Sequence, residues 1–335
     1  MTNTILTYII CSPLLAALIV LFIPRNYRFV IRNVALLGTA VSALLALKMF
    51  FIDFTVGFTG RQLQHKVTWI ESLGINYHVA VDGINVGLVL MGAIVSFAAV
   101  AVSRNIKTYE KEFYLLLLIM AGGILGAFAS YDLFFFFVFH ELALVPTFIM
   151  IGLWGRGENK NYATFQITLY LSLGGLLTLF GLIALYLQLP VDQRTFNIAE
   201  LTTYFSKNPM SVNAQHFIFP LLLFGFGILV SLWPFHTWAP LGYGSAPTAT
   251  AMLHAGVLKK FGLYGLIRIA LPLMPEATQS WLHVIAILCL GNIVYVGWVA
   301  MRQRDLNMLI GNSSVAHMGF CFLGIASLSL VGVTG

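Results

Sequence analysis

Apolar residues run along this chain in long, nearly continuous stretches, broken by short polar connections. The stretches fall at about 5–23, 30–51, 84–103, 113–130, 132–154, 163–187, 215–234, 250–271, 281–301 and 309–331. A helix needs about 20 apolar residues to cross a bilayer. A membrane barrel strand would show about 10 alternating residues instead. Without water in the hydrocarbon, only helices or closed barrels satisfy their backbone polar groups. The pattern therefore predicts an all-α fold, a polytopic transmembrane helix bundle of about ten spans. Two connections are longer. Residues 52–83 contain the β-prone runs Val67–Ile70 and Tyr77–Val81 around Leu73-Gly74-Ile75-Asn76, which predicts a small hairpin on the outer surface. Residues 188–214 read as polar and irregular. The first stretch has no basic leader and no small-residue cleavage site, so it is expected to be a retained helix.

Composition strengthens this reading. Of 335 residues, 59% are hydrophobic and 9% charged, against roughly a quarter charged in soluble domains. Such a chain cannot cover itself with water-compatible surface, so its solvent is the lipid bilayer. The net charge of +6 reflects topology, with no nucleic-acid partner expected. Odd-numbered connections carry Arg25, Arg28, Arg32, Arg104, Lys107, Lys111, Arg156, Lys160, Arg302 and Arg304; even ones carry Arg61, Lys66, Arg194 and Lys207. By the positive-inside rule the N-terminus faces outside and the odd connections face the cytoplasm.

Several classes find no support. Cys11, Cys289 and Cys321 lie in apolar stretches without metal-ligand spacing, so no metal site or disulfide is expected. Gly155-Arg156-Gly157 is followed by Lys160 where a dinucleotide fingerprint needs glycine. No direct NADH binding, phosphate loop or haem-like histidine pair is expected, hence no cofactor and no redox chemistry of the chain's own. Asn312-Ser313-Ser314 matches a glycosylation sequon but sits at a helix start and is discounted.

The informative residues are charges inside spans, where each costs several kcal/mol unless paired or hydrated. Glu141 is the one acidic residue deep in a span. It follows Phe134-Phe135-Phe136-Phe137-Val138-Phe139-His140. A buried carboxyl exchanges protons near neutral pH. His140 should point about 100° away from it and reads as structural. Lys259 and Lys260 sit mid-span in the eighth stretch, also about 100° apart, so at least one should face the bundle. His254 and His317 lie within spans and could relay protons. Pro234, Pro240 and Pro247 break the helix across Leu232–Pro247. Broken helix at membrane depth suits a water-filled cavity or ion site, and makes His236 a further relay candidate. The proton-handling set is thus Glu141, Lys259, Lys260, His236, His254 and His317.

These residues resemble a known family. Phe-His-Glu-Leu-Ala-Leu-Val-Pro (139–146) with Leu153-Trp154-Gly155 is similar to the fifth helix of the antiporter-like membrane subunits of respiratory complex I. Pro-Phe-His-Thr-Trp-Ala-Pro (234–240), Ser-Ala-Pro-Thr-Ala (245–249) and Leu-Lys-Lys-Phe-Gly-Leu-Tyr-Gly-Leu-Ile-Arg (258–268) look like the seventh and eighth. Asp305-Leu306 with Leu309–Gly319 looks like the start of the tenth. The resemblance runs from about residue 84 to the end and favours the subunit M (chain 4) type. It implies helices 1–3 with an outer hairpin (1–112), a complete five-helix repeat of helices 4–8 (113–271), and the start of a second repeat (272–335).

The resemblance also implies a function and partners. These would be proton translocation within an NADH:quinone oxidoreductase, a translocase, alongside other membrane-arm subunits. Glu141 matches the family's fifth-helix glutamate, Lys260 its eighth-helix lysine, and His236 and His317 its recurring histidines. Three departures stand out. Leu229 occupies the position of the seventh-helix lysine, and Asn307 that of a basic residue. Family members carry about fourteen helices in two inverted repeats, and this chain ends with the second barely begun. The implied location is a bacterial inner (plasma) membrane, with an organellar inner membrane or thylakoid as alternatives. Rival readings are a subunit of a multi-subunit Na+/H+ antiporter, a related subunit of a membrane-bound hydrogenase or bicarbonate-uptake system, and a non-conducting structural membrane-arm subunit.

Overall fold

The protein's structure, a computed structural model, describes residues 4–58, 60–104, 106, 108–329 and 331–332. Lys107, one of the basic residues counted above, lies outside the described residues. The fold is an all-α membrane bundle with one small hairpin. Among the described residues, eight helices are long and apolar enough to cross a membrane: Ile5–Phe22, Arg28–Asp53, Glu110–Ala129, Leu133–Trp154, Lys160–Tyr186, Val212–Val230, Pro275–Met301 and Leu306–Ala326. Each coincides with a predicted span. The predicted third span is the shorter apolar helix Val86–Val102.

The predicted eighth span departs from a continuous helix. It is built from Thr248–Gly256, a 3₁₀ turn at Leu258–Lys260, the short helix Phe261–Gly265, a π turn at Leu266–Ala270 and Leu271–Leu273. Mid-helix 3₁₀ and π segments mark strain or functional hinges. A second departure is the connection 188–214, which contains a 3₁₀ turn at Val191–Gln193 and the helix Ile198–Lys207. That helix carries a strongly one-sided apolar pattern, which polarity averaged over the whole loop concealed.

The described residues form two compact units. The first comprises residues 1–153, 195–198 and 247–258; the second comprises 154–194, 199–246 and 259–335. In the first, α1 (Ile5–Phe22) packs on α2 (Arg28–Lys48) and on α4 (Glu110–Ala129), and α3 (Val86–Val102) packs between α2 and α4. The two ends of this unit differ chemically. At one end Arg25 pairs with Glu112 at 2.5 Å and Arg28 with Glu110 at 3.5 Å, while Lys111 donates to the Leu21 carbonyl. The first and third connections therefore share an end, as their basic residues predicted.

The other end carries the expected hairpin, β1 (Gln62–Ile70) antiparallel to β2 (Ile75–Val81). Gly74, at φ 67°, makes the turn's left-handed step. The hairpin sits over the start of α1, where the Tyr77 hydroxyl donates to Thr7 Oγ1 at 3.1 Å and His65 Nδ1 lies 2.8 Å from the same oxygen. Burial pushes the Tyr77 phenol up to about 12, so it stays a donor. The hairpin is also pinned to α5 (Leu133–Trp154) through Asp132. This fully buried carboxylate accepts from the backbone N–H of Asn76 (2.9 Å), Phe134 (3.0 Å) and Phe135 (3.3 Å). It satisfies orphan donors at the helix start and fixes the strand turn in one step.

Without a hydrophobic drive between helices in lipid, close packing relies on small residues. A Cβ placed on Gly123 of α4 would sit 2.7 Å from the Ala143 nitrogen and 2.8 Å from the Phe139 carbonyl oxygen of α5. The glycine thus sets the depth of the α5 turn that carries Glu141. Gly123→Ala should push this backbone apart at a cost of about 1–3 kcal/mol, read as a lower melting temperature of the detergent-solubilised protein. An unchanged melting temperature would contradict the close contact.

Candidate functional site: buried charges in two units

In the first unit, Glu141 lies at the middle of α5. Its side chain is 32% exposed, yet Oε1 is buried and makes no hydrogen bond among the described residues. The nearest ionisable group to it is His140 Nδ1, at 3.5 Å. The sequence reading turned His140 away from Glu141. The backbone does place the two about 100° apart, but the flexible glutamate stem swings its carboxylate back to the ring. Pro146, inside the same helix, has no N–H for the carbonyl of Leu142 four residues earlier. A polar oxygen is thereby freed on the residue next to Glu141. His254 lies buried in the last turn of α10 (Thr248–Gly256), which packs on α3 and α4.

The second unit contains the other candidates. Lys259 is 1% exposed and Lys260 half-buried. The tight turn at Leu258–Lys260 sends the first inward: its Nζ lies 3.3 Å from Ser314 Oγ and 5.5 Å from the centre of the Tyr243 ring. Cys321, on α15 (Leu306–Ala326), is exposed. His236 is buried in the irregular stretch between α8 (Val212–Val230) and α9 (Trp238–Ser245), edge-on to Tyr295 at 6.0 Å and within the field of Lys259. His317 lies on the exposed face of α15 and joins no cluster. Leu229, where the resemblance implies a lysine, is a buried leucine of α8.

The predicted break at 232–247 is present, and one residue holds it open. Asn292, fully buried in the π turn Gly291–Val296 that continues α13 (Pro275–Leu290), makes three backbone contacts. Its Nδ2 donates to the carbonyls of Ser231 (3.2 Å) and Val315 (2.9 Å), and its Oδ1 accepts from Trp233 N–H at 2.5 Å. The Trp238 indole donates to the Ile228 carbonyl at 3.1 Å. Freed polar groups at the end of α8 are thus answered from two other elements, the π turn and α9.

Sequence reasoning missed Asn292, Tyr243 and Ser314. An uncharged asparagine in an apolar run was a usable signal, since a lone amide in a span needs partners. Ser314 was passed over as part of the discounted sequon. Nothing in the sequence marks Tyr243 as facing a lysine sixteen residues later. Among the described residues no cluster of three or more metal-type ligands occurs.

Chemically, both units hold titratable groups at membrane depth with few fixed counter-charges.

The chain was compared with known proteins. Residues 130–335 match the family described as NADH:quinone oxidoreductase/Mrp antiporter, transmembrane. The chain is similar to NAD(P)H-quinone oxidoreductase chain 4-2 of Synechocystis, at 34% identity over 330 residues, covering 98% of this chain and 58% of that protein. It is similar to NADH-quinone oxidoreductase subunit M of Rickettsia prowazekii, at 32% identity, covering 99% of this chain and 67% of that one. A chain in the structure of respiratory complex I from Thermus thermophilus with bound NADH superposes with a TM-score of 0.82 at 27% identity, over 98% of this chain and 65% of that chain. The chain spans about three-fifths of the length of the cyanobacterial relatives it matches. Spans, broken helices and sequence agree: this chain is a multi-pass membrane protein belonging to the NADH:quinone oxidoreductase/Mrp antiporter transmembrane family.

Proposed function

We propose that this chain works as a proton-translocating membrane subunit of a complex of the NADH:quinone oxidoreductase type. The observation that carries the proposal is Glu141, a carboxylate midway along a spanning helix whose Oε1 is buried and makes no hydrogen bond among the described residues. Such a group holds a proton in one electrostatic setting and releases it in another. Lys259, Lys260 and His236 supply a second set of titratable sites, and His254 and His317 are further candidates. Quinone reduction elsewhere in the assembly would shift the field at these groups, and protons would follow through hydrated paths. Partners are other membrane-arm subunits. The basic end of the first unit faces the cytoplasm of a bacterium, and the start of α1 faces outside.

A second reading is favoured by the family itself, which also takes in Mrp-type antiporters. There the same groups would exchange a cation for protons without any redox reaction.

The test uses proteoliposomes holding the assembled complex. Lys260→Met should lower NADH-driven proton uptake per quinone reduced by at least about tenfold, because methionine keeps the side chain's length but carries no exchangeable proton. Undiminished uptake would count against the pump. A pH change driven by a sodium gradient, with no NADH present, would favour the antiporter.

A further inference from the structure

Lys259 is the only buried lysine among the described residues. No ion pair reaches it; its contacts are the Ser314 hydroxyl at 3.3 Å and the face of Tyr243 at 5.5 Å. The other titratable groups near it are Lys260 on the same turn and His236 on the broken stretch. A carboxylate partner would lock an ammonium in its charged form. A hydroxyl does not, because it has both a donor and acceptor sites. Ser314 accepts from the ammonium and, after rotating, donates to the neutral amine. The Tyr243 ring attracts only the cation. The two together keep Nζ in place through both states.

We infer that Tyr243 and Ser314 are positioning residues that hold Lys259 Nζ as an exchangeable proton carrier. This rests on the proton-translocating reading above and names the two groups that position one of its sites. In the exchange, one N–H bond of the ammonium breaks and its electron pair stays on nitrogen. The proton passes to water or to a nearby imidazole such as His236. The reverse step restores the ammonium. No oxidant or co-reactant is needed.

The experiment measures NADH-driven proton uptake per quinone reduced in proteoliposomes containing the assembled complex. Ser314→Ala and Tyr243→Leu should each lower the ratio by about tenfold, the equilibrium factor that one hydrogen bond to a charged group supplies. Ser314→Thr and Tyr243→Phe, which keep the hydroxyl and the ring face, should restore it to within about twofold. A merely structural role would not produce rescue that follows those two chemical groups. If Tyr243→Leu prevents assembly, the alanine and threonine variants at Ser314 decide. Unchanged uptake in Ser314→Ala and Tyr243→Leu, with uptake lost in Glu141→Gln, overturns this inference and leaves the pump standing. Loss in Ser314→Ala without rescue by threonine overturns it too. Unchanged uptake in all of these variants removes both.

Discussion

Glu141→Gln should abolish most of the proton uptake attributed to this chain, by on the order of 100-fold, while quinone reduction by the rest of the complex continues. Glutamine has the length, shape and polarity of glutamate, and the side chain is already 32% exposed, so folding should tolerate the change. What glutamine cannot do is hold and release a proton. The neighbouring His140 Nδ1 lies 3.5 Å from the carboxylate on a buried ring. Uptake is read by pH-dye quenching against quinone turnover, with assembly checked on native gels. An assembled complex with undiminished uptake would remove Glu141 from the transport path. Glu141→Asp, which keeps the carboxyl but shortens the stem, should retain a measurable part of the wild-type ratio.

Asn292→Leu should produce the largest loss of stability. Leucine keeps the branched outline but puts bulkier methyl groups where the amide atoms made hydrogen bonds, so loss of the amide is joined by overpacking. Losing the amide leaves the Trp233 N–H and the Ser231 and Val315 carbonyls without this partner. Each buried polar group left unmade costs about 1–3 kcal/mol, giving about 2–9 kcal/mol if two or three stay unsatisfied. In lipid, water is not at hand to replace the amide. The measurement is the melting temperature of the solubilised protein. Asn292→Asp should fall between if it stays protonated, since its carboxyl then accepts from Trp233 and donates to one of the two carbonyls. A leucine variant as stable as wild type would show that the break holds itself open by other means.

The bundle class, nearly every span and the hairpin were legible because each depends on local chemistry. Long apolar runs can only be spanning helices in a solvent without hydrogen bonds, and Leu73-Gly74-Ile75-Asn76 between β-prone runs reverses a strand whatever surrounds it. The pairing of Arg25 and Arg28 with Glu112 and Glu110 was foreshadowed by basic residues in alternating connections. The helix Ile198–Lys207 was not, because polar residues on one face of a short amphipathic helix lower its average to that of a loop.

Glu141 and the lysine pair were legible as costly charges. Their surroundings were not. A continuous helix through Leu258–Lys260 places both lysines by 3.6-residue geometry, and the resemblance pointed to Lys260 as the channel residue. The tight turn there also brings Lys259 against Tyr243 and Ser314. The chain's own pattern of apolar and charged residues therefore determined that this is a membrane bundle with expensive charges inside. Tertiary structure alone decided which groups meet those charges, because a hydroxyl or an aromatic face becomes a lysine's partner only when separate helices bring it within a few ångströms.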